Sequence, residues 1–194
     1  MKYIIGADES GCGNIAGILC VVAVKAPENW TMAGLNDSKK LSEKKRYALL
    51  NDLMNLVKSK EISYALASKS NLEIDSYGLA AGLDSSYKEV IKELYDEESY
   101  VIWDGSRHIR GIEHICKPNT YKSMIKADAS LPHAMAASII AKCYRDYDIK
   151  NLHFEYPQYN WIKNAGYPTA EHLNAIKLYG YSPYHRKSYK IKQN

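Results

Sequence analysis

The side chains best suited to chemistry in this sequence are acids that follow apolar runs. Asp8 and Glu9 come directly after Tyr3-Ile4-Ile5-Gly6-Ala7, Asp104 closes Ser99-Tyr100-Val101-Ile102-Trp103, and Asp128 stands ahead of an alanine-rich stretch. In an α/β sheet such positions gather at one edge, where ligands commonly bind. Carboxylates brought together there repel one another and raise each other's pKa unless cations neutralise them, and an all-oxygen donor set suits magnesium or manganese. Two such ions roughly 4 Å apart can activate a water and stabilise the leaving oxygen in phosphodiester cleavage. Singly, Asp104 before Gly105 also suits a turn and Asp128 a helix cap. The adjacent pair Asp8-Glu9 is harder to explain that way.

The elements that must position these acids are legible in the hydrophobic pattern. Tyr3 to Ala7 and Ile15 to Val24 read as two strands of a hairpin or meander, with Gly11 and Gly13 between them and the acids at the turn. Ser42 caps a helix through about Lys58, since Ala48, Leu49, Leu53, Leu56 and Val57 recur at helical spacing. Ile62 to Ala67 follows as a strand. Ser70-Asn71-Leu72-Glu73 fits a capping box opening helical sequence to Tyr95, with a break near Gly78. Ser99 to Trp103 is a strand and Ile112 to Cys116 a short one. Leu131 to Asp148 is a helix whose small residues permit close packing on a sheet, and a last helix runs from Thr169 to Tyr179, ended by Gly180. The order predicts a mixed α/β sheet covered by helices.

The chain of 194 residues, 46% hydrophobic and 25% charged, suits one globular domain spanning 1-194 with a basic C-terminal helical segment from about 165, and excludes a disordered or coiled-coil chain. No apolar run approaches the roughly 20 residues of a spanning helix, and acids arrive too early for a signal peptide, so a cytoplasmic protein without membrane association is expected. Cys12, Cys20, Cys116 and Cys143 lack zinc spacing and read as reduced thiols. Net charge is +4, and the bases concentrate in Ser38 to Arg46 and from His172 onward. Such stripes suit a polyanion, although a solvated lysine-rich surface looks the same. The histidine spacings do not suggest zinc, no Gly-x-Ser-x-Gly surrounds a serine nucleophile, and the Gly11-Cys12-Gly13 loop lacks the ending of a phosphate loop.

Blocks of the sequence resemble the ribonuclease HII family. They are Asp8-Glu9-Ser10-Gly11-Cys12-Gly13 with Ala16-Gly17, Asn36-Asp37-Ser38-Lys39-Lys40-Leu41-Ser42 onward to Arg46, Asp104-Gly105, Lys126-Ala127-Asp128, and Ala136 to Lys142 with Arg145-Asp146. Gly166-Tyr167-Pro168-Thr169, His172-Leu173, Tyr179 to Pro183 and His185-Arg186-Lys187-Ser188 complete the set, in the family's order and over nearly the whole chain. The resemblance implies an RNase H-like mixed β-sheet flanked by helices, and an endonuclease that cuts the RNA strand of RNA–DNA hybrids to leave 3′-hydroxyl and 5′-phosphate ends. It implies Mg²⁺ or Mn²⁺, two ions per site, held by Asp8, Glu9, Asp104 and Asp128. It also implies action on single ribonucleotides in duplex DNA. A monomer is expected because no heptad or other interface pattern appears in the sequence.

For substrate, the resemblance implies backbone contacts from Gly11, Cys12 and Gly13 to the ribose 2′-hydroxyl, phosphate contacts from Ser38 and Lys39, and Tyr167 packing on the sugar beside the cut. Asp146 falls in a motif but beyond the metal site and is expected to be structural. The chain departs from the family where an arginine becomes Cys12 and the following proline becomes Asn14. Backbone contacts survive that exchange and a charge-assisted one is lost. Two alternatives follow: a ribonuclease HIII-like hybrid nuclease without junction activity, and a non-catalytic hybrid-binding module. A junction resolvase or transposase core is disfavoured by the lysine-rich and His-Arg-Lys-Ser blocks.

Overall fold

A computed structural model describes residues 1–190. Its centre is a five-stranded sheet in the order β3-β2-β1-β4-β5, formed by β1 (Tyr3–Ser10), β2 (Leu19–Pro27), β3 (Ser63–Lys69), β4 (Ser99–Asp104) and β5 (Tyr121–Met124). The first three strands pair antiparallel, and β1-β4 and β4-β5 pair parallel. The helices are α1 (Glu43–Lys58), α2 (Asn71–Tyr77), α3 (Leu79–Leu94), α4 (Ala127–Ser130), α5 (Pro132–Glu155), α6 (Trp161–Asn164) and α7 (Ala170–Tyr179).

Strand alternation divides the core between two faces. Leu19, Val21 and Ala23 of β2 pack with Ile74 of α2 and with Leu83, Tyr87, Val90 and Ile91 of α3. Cys20, Val22 and Val24 pack with Leu49 and Leu53 of α1 and with Ala136, Ile139, Ile140 and Cys143 of α5. Because both faces are covered, β2 is apolar almost throughout rather than alternating. Gly6 permits the closest approach: a Cβ there would collide with the Ala134 backbone nitrogen of α5. The predicted caps form at Ser42, whose Oγ accepts from Lys45 N–H, at Ser70 as a full capping box, and at Thr169.

Three expectations change, and one strand is added. Residues 15–18 do not extend β2, because they serve the C-terminal segment: Ile15 N–H donates to Gly166 O, Gly17 N–H to Tyr184 O, and Ala16 bridges His185. Ile112 to Cys116 is not a strand. Gly111, at φ 82°, leads into a 3-10 turn at Ile112–His114, and Ile112 and Cys116, four apart, are both buried, which is a helical spacing. The remaining strand is the short β5. The long helix α5 runs on past Asp148 because nothing stops it before Tyr156, which precedes Pro157.

Of the C-terminal segment, α7 is helical, and the residues past Gly180 dock as turns against 11–17 rather than trailing free. Lys192, part of the basic tail, lies outside the described residues. All four cysteines are unpaired. Among the described residues no helix is long and apolar enough to cross a membrane.

Candidate functional site

The parallel pairing of β1 with β4 sets the site. Ala7 lies opposite Trp103, so Asp8 and Asp104, one residue further on, stand side by side where the parallel pairing stops; Asp104 ends β4, whereas Asp8 and Glu9 lie inside β1 rather than in its turn, because β1 stays paired with β2 as far as Ser10. Period-2 alternation puts Gly6, Asp8, Ile102 and Asp104 on the α5 face and sends Glu9 to the α3 face. Asp8 is 5% exposed. Burial, then Glu9, and more weakly Asp104, push its carboxyl up to about 8, against a hydrogen bond from Ser138 of α5.

Glu9 is held by two donors. The buried Tyr87 hydroxyl of α3 donates to its Oε2, and the Cys12 thiol lies 3.7 Å from its Oε1. Asp104 Oδ1 accepts the backbone N–H of Ala127 at 2.7 Å and of Asp128 at 3.4 Å, so this acid itself caps α4. Asp128 therefore sits inside a helical turn of its own rather than ahead of α5. It is buried, its carboxyl is raised by burial and by Asp104, and Lys39 Nζ approaches its Oδ2 at 3.6 Å.

Lys39 rides on a 3-10 turn at Ser38–Lys40, capped by Asp37, whose Oδ1 accepts Lys39 N–H at 2.9 Å. Arg46 of α1 donates to Ser38 O and Leu41 O, and Ser38 Oγ meets Ser138 Oγ at 2.9 Å, which fastens this turn to α5. Asp146 is engaged with Arg46, Lys142 and Arg145, consistent with a structural role.

A cleft of about 270 Å³ joins these parts. Asp8, Glu9, Gly11, Cys12, Gly13, Ser38, Lys39 and Tyr167 all line it, with Ser10, Ser138 and Lys142. Asp104 and Asp128 are not among its lining and connect to it through Asp8 and Lys39. Gly11, at φ +105°, must lack a side chain, since a Cβ would come 2.6 Å from Ile18 O. The Cys12 thiol is pushed up to about 12 by burial and by Glu9, so it is neutral and brings no cation to the cleft.

Tyr167 is 42% exposed, with the Arg145 guanidinium 5.5 Å from its ring centre. Asn14 Nδ2 and Arg145 Nη1 both donate to Ala165 O, steadying the turn before Tyr167. His172 Nδ1–H donates to Tyr167 O at 2.8 Å, while its Nε2 accepts from Trp161 Nε1 at 2.9 Å. His185 Nδ1 accepts from Ser182 N–H, so its Nε2–H is the donor to His172 Nε2 at 3.0 Å. Both rings are neutral in this arrangement.

Sequence reasoning missed Tyr87, Ser138, Lys142, Arg145 and the histidine pair as parts of the site. Ser138, Lys142 and Arg145 lie on one helix at i, i+4 and i+7, a spacing that marks one face. Tyr87 left no local signal.

The acids are not a preformed cage. Among the described residues no three carboxylate, imidazole or thiol groups stand at ligand spacing. Their chemistry nevertheless fits a hard divalent cation: all donors are oxygen, and burial together with like charges raises Asp8 and Asp128, a cost that a cation offsets.

Comparison with known proteins gives the family and the fold. A family model for ribonuclease HII matches residues 5–192. A ribonuclease HII of Christiangramia forsetii is 39% identical over 190 residues, covering 97% of this chain and 90% of the relative. Ribonuclease HII in the PCNA:RNase HII complex from Archaeoglobus fulgidus superposes with a TM-score of 0.79 at 25% identity, over 99% of this chain and 97% of the other. Bst-RNase HIII in complex with Mn²⁺ shares the fold at a TM-score of 0.68 and 17% identity, over 92% of this chain and 63% of the other.

Proposed function

The chain belongs to the ribonuclease HII family, and from this we propose that it hydrolyses the RNA strand of RNA–DNA hybrids with Mg²⁺ or Mn²⁺, at Asp8 and Glu9 in the cleft and Asp104 and Asp128 beside it. It is an RNase H endonuclease by family. The observation that carries the metal-dependent reading is the side-by-side placement of Asp8 and Asp104 where the parallel pairing of β1 with β4 stops, with burial and like charge holding Asp8 up to about 8. The four acids would hold the ions. When bound, the divalent ions supply an activated water and a counter-charge for the leaving 3′-oxygen.

The chain's own residues orient the reactants. Tyr87 and Cys12 donate to Glu9 and fix its oxygens. Lys39, 77% exposed at its side chain, reaches past Asp128 to meet a phosphate, with Ser38 beside it. Tyr167 offers a ring face to a sugar beside the cut, and Gly13 leaves that face uncrowded. The Gly11–Gly13 backbone reads the ribose 2′-hydroxyl. Residues 1–194 act as one catalytic unit, a monomer in the cytoplasm. Single ribonucleotides in duplex DNA are cut as well, because the contacts that read them come from backbone.

Cleavage of two labelled duplexes tests this, one with a continuous RNA strand and one with a single ribonucleotide. Cutting of both, the second on the 5′ side of the ribonucleotide, is the expected result. Asp104→Asn should reduce cleavage by at least about a hundredfold while the melting curve stays cooperative. Full activity in that variant would remove Asp104 from the ligand set. Cutting of the continuous hybrid alone would limit the activity to that substrate.

A further inference from the structure

Arg186 lies 175 residues from Gly11 in sequence and is 1% exposed. Its Nη1 donates to Gly11 O at 2.6 Å and to the Tyr189 hydroxyl at 3.0 Å. That hydroxyl passes the interaction on, donating to Cys12 O at 2.8 Å. The rest of the guanidinium grips the same loop's far end, with Nε and Nη2 on Gly17 O at 3.1 and 3.0 Å. Two consecutive loop carbonyls, Gly11 and Cys12, are thus turned toward the C-terminal segment.

A trans peptide points its N–H opposite to its C=O. Among the described residues no peptide is cis, so the N–H groups that share peptides with those carbonyls, on Cys12 and Gly13, face away from the clamp. Both residues line the cleft, and neither N–H donates to a backbone carbonyl among the described residues. Adjacent free donors of this kind suit an oxygen acceptor such as a ribose hydroxyl.

Building on the function read above, we propose that Arg186 and Tyr189 are positioning residues for substrate selection: they aim the Cys12 and Gly13 N–H groups at the 2′-hydroxyl of the RNA strand. The segment is itself braced from α2. Asp75 accepts Lys187 N–H and Ser188 N–H, and Asn71 Nδ2 donates to Pro183 O and His185 O. The clamp supplies the orientation that a side chain at position 12 does not.

Tyr189→Phe removes one hydroxyl and little else. The readout is the KM and kcat for a continuous hybrid, beside the inhibition constant of the same-sequence DNA duplex as competitor. The expected result is a three- to tenfold higher KM, about one hydrogen bond, with kcat within about twofold and the DNA constant unchanged. Arg186→Lys, which keeps charge but loses the fork, should lower the preference for hybrid over DNA at least as much. An unchanged ratio of the DNA constant to KM in Tyr189→Phe overturns the clamp, and so does a parallel rise of both. A wild-type protein that cuts no hybrid overturns the functional reading itself, and the clamp with it.

Discussion

Glu9 shows how a single site residue depends on distant ones. Its carboxylate takes the hydroxyl of Tyr87 from the opposite helix layer and the thiol of Cys12 from its own turn. Tyr87→Phe keeps the ring that fills the core and deletes the donor. Such outer partners set metal affinity, so this variant should need about tenfold more Mg²⁺ for half-maximal cleavage, with its melting temperature little changed. A Mg²⁺ titration of activity checks it. Cys12 itself contributes a neutral thiol, and restoring a cation there adds a charge-assisted phosphate contact. Cys12→Arg should therefore raise cleavage of a duplex with one embedded ribonucleotide more than cleavage of a continuous hybrid. Parallel assays of the two substrates measure the ratio.

At the scale of elements, the packing of α5 on β1 decides whether the site exists. Ser138 reaches Asp8 and Ser38 only because Gly6 lets the helix backbone sit directly on the strand. Gly6→Ala forces a methyl into that contact and should cost about 2–3 kcal/mol by overpacking, read as a lower urea midpoint with an unchanged slope. The same layer explains which elements were legible. Helices α1, α2 and α7 announce themselves through caps and periodic apolar residues, because those signals are local. β5 and the 3-10 turn at Ile112–His114 did not, since Tyr121–Met124 is a strand only by pairing with β4.

For the whole molecule, the histidine pair joins the C-terminal segment to the turn bearing Tyr167. His172 is lowered by burial, and His185 is lowered to about 4 by burial and by its neighbour. The unfolded chain takes up protons below its ordinary value of about 6.5, which the folded chain refuses. Stability contributed by this pair is therefore present above about pH 6.5 and lost as pH falls toward 4. Thermal melts across that range should show the decline, and His185→Gln should flatten it. Asp8 works in the opposite direction: with its folded value raised to about 8, stability falls as pH rises from the ordinary carboxylate range toward 8. A divalent cation offsets that repulsion, so Mg²⁺ should raise the melting temperature more at pH 8 than at pH 5.

The sequence by itself determined which residues are candidates for chemistry: acids after apolar runs, a glycine turn after the first of them, a lysine-rich turn before α1, and a layered α/β order. These are short-range signals, set by alternation, spacing and caps. Only the tertiary structure decided which groups surround them. The register that lays Asp8 beside Asp104 comes from pairing strands 96 residues apart, as Tyr3 opposite Ser99 shows. The hydroxyl on Glu9, the guanidinium on Gly11 O and the imidazole on Tyr167 O arrive from distant segments through burial and hydrogen bonding. Such contacts have no period in the chain, because they are fixed by which surfaces pack together and which buried polar groups must find partners.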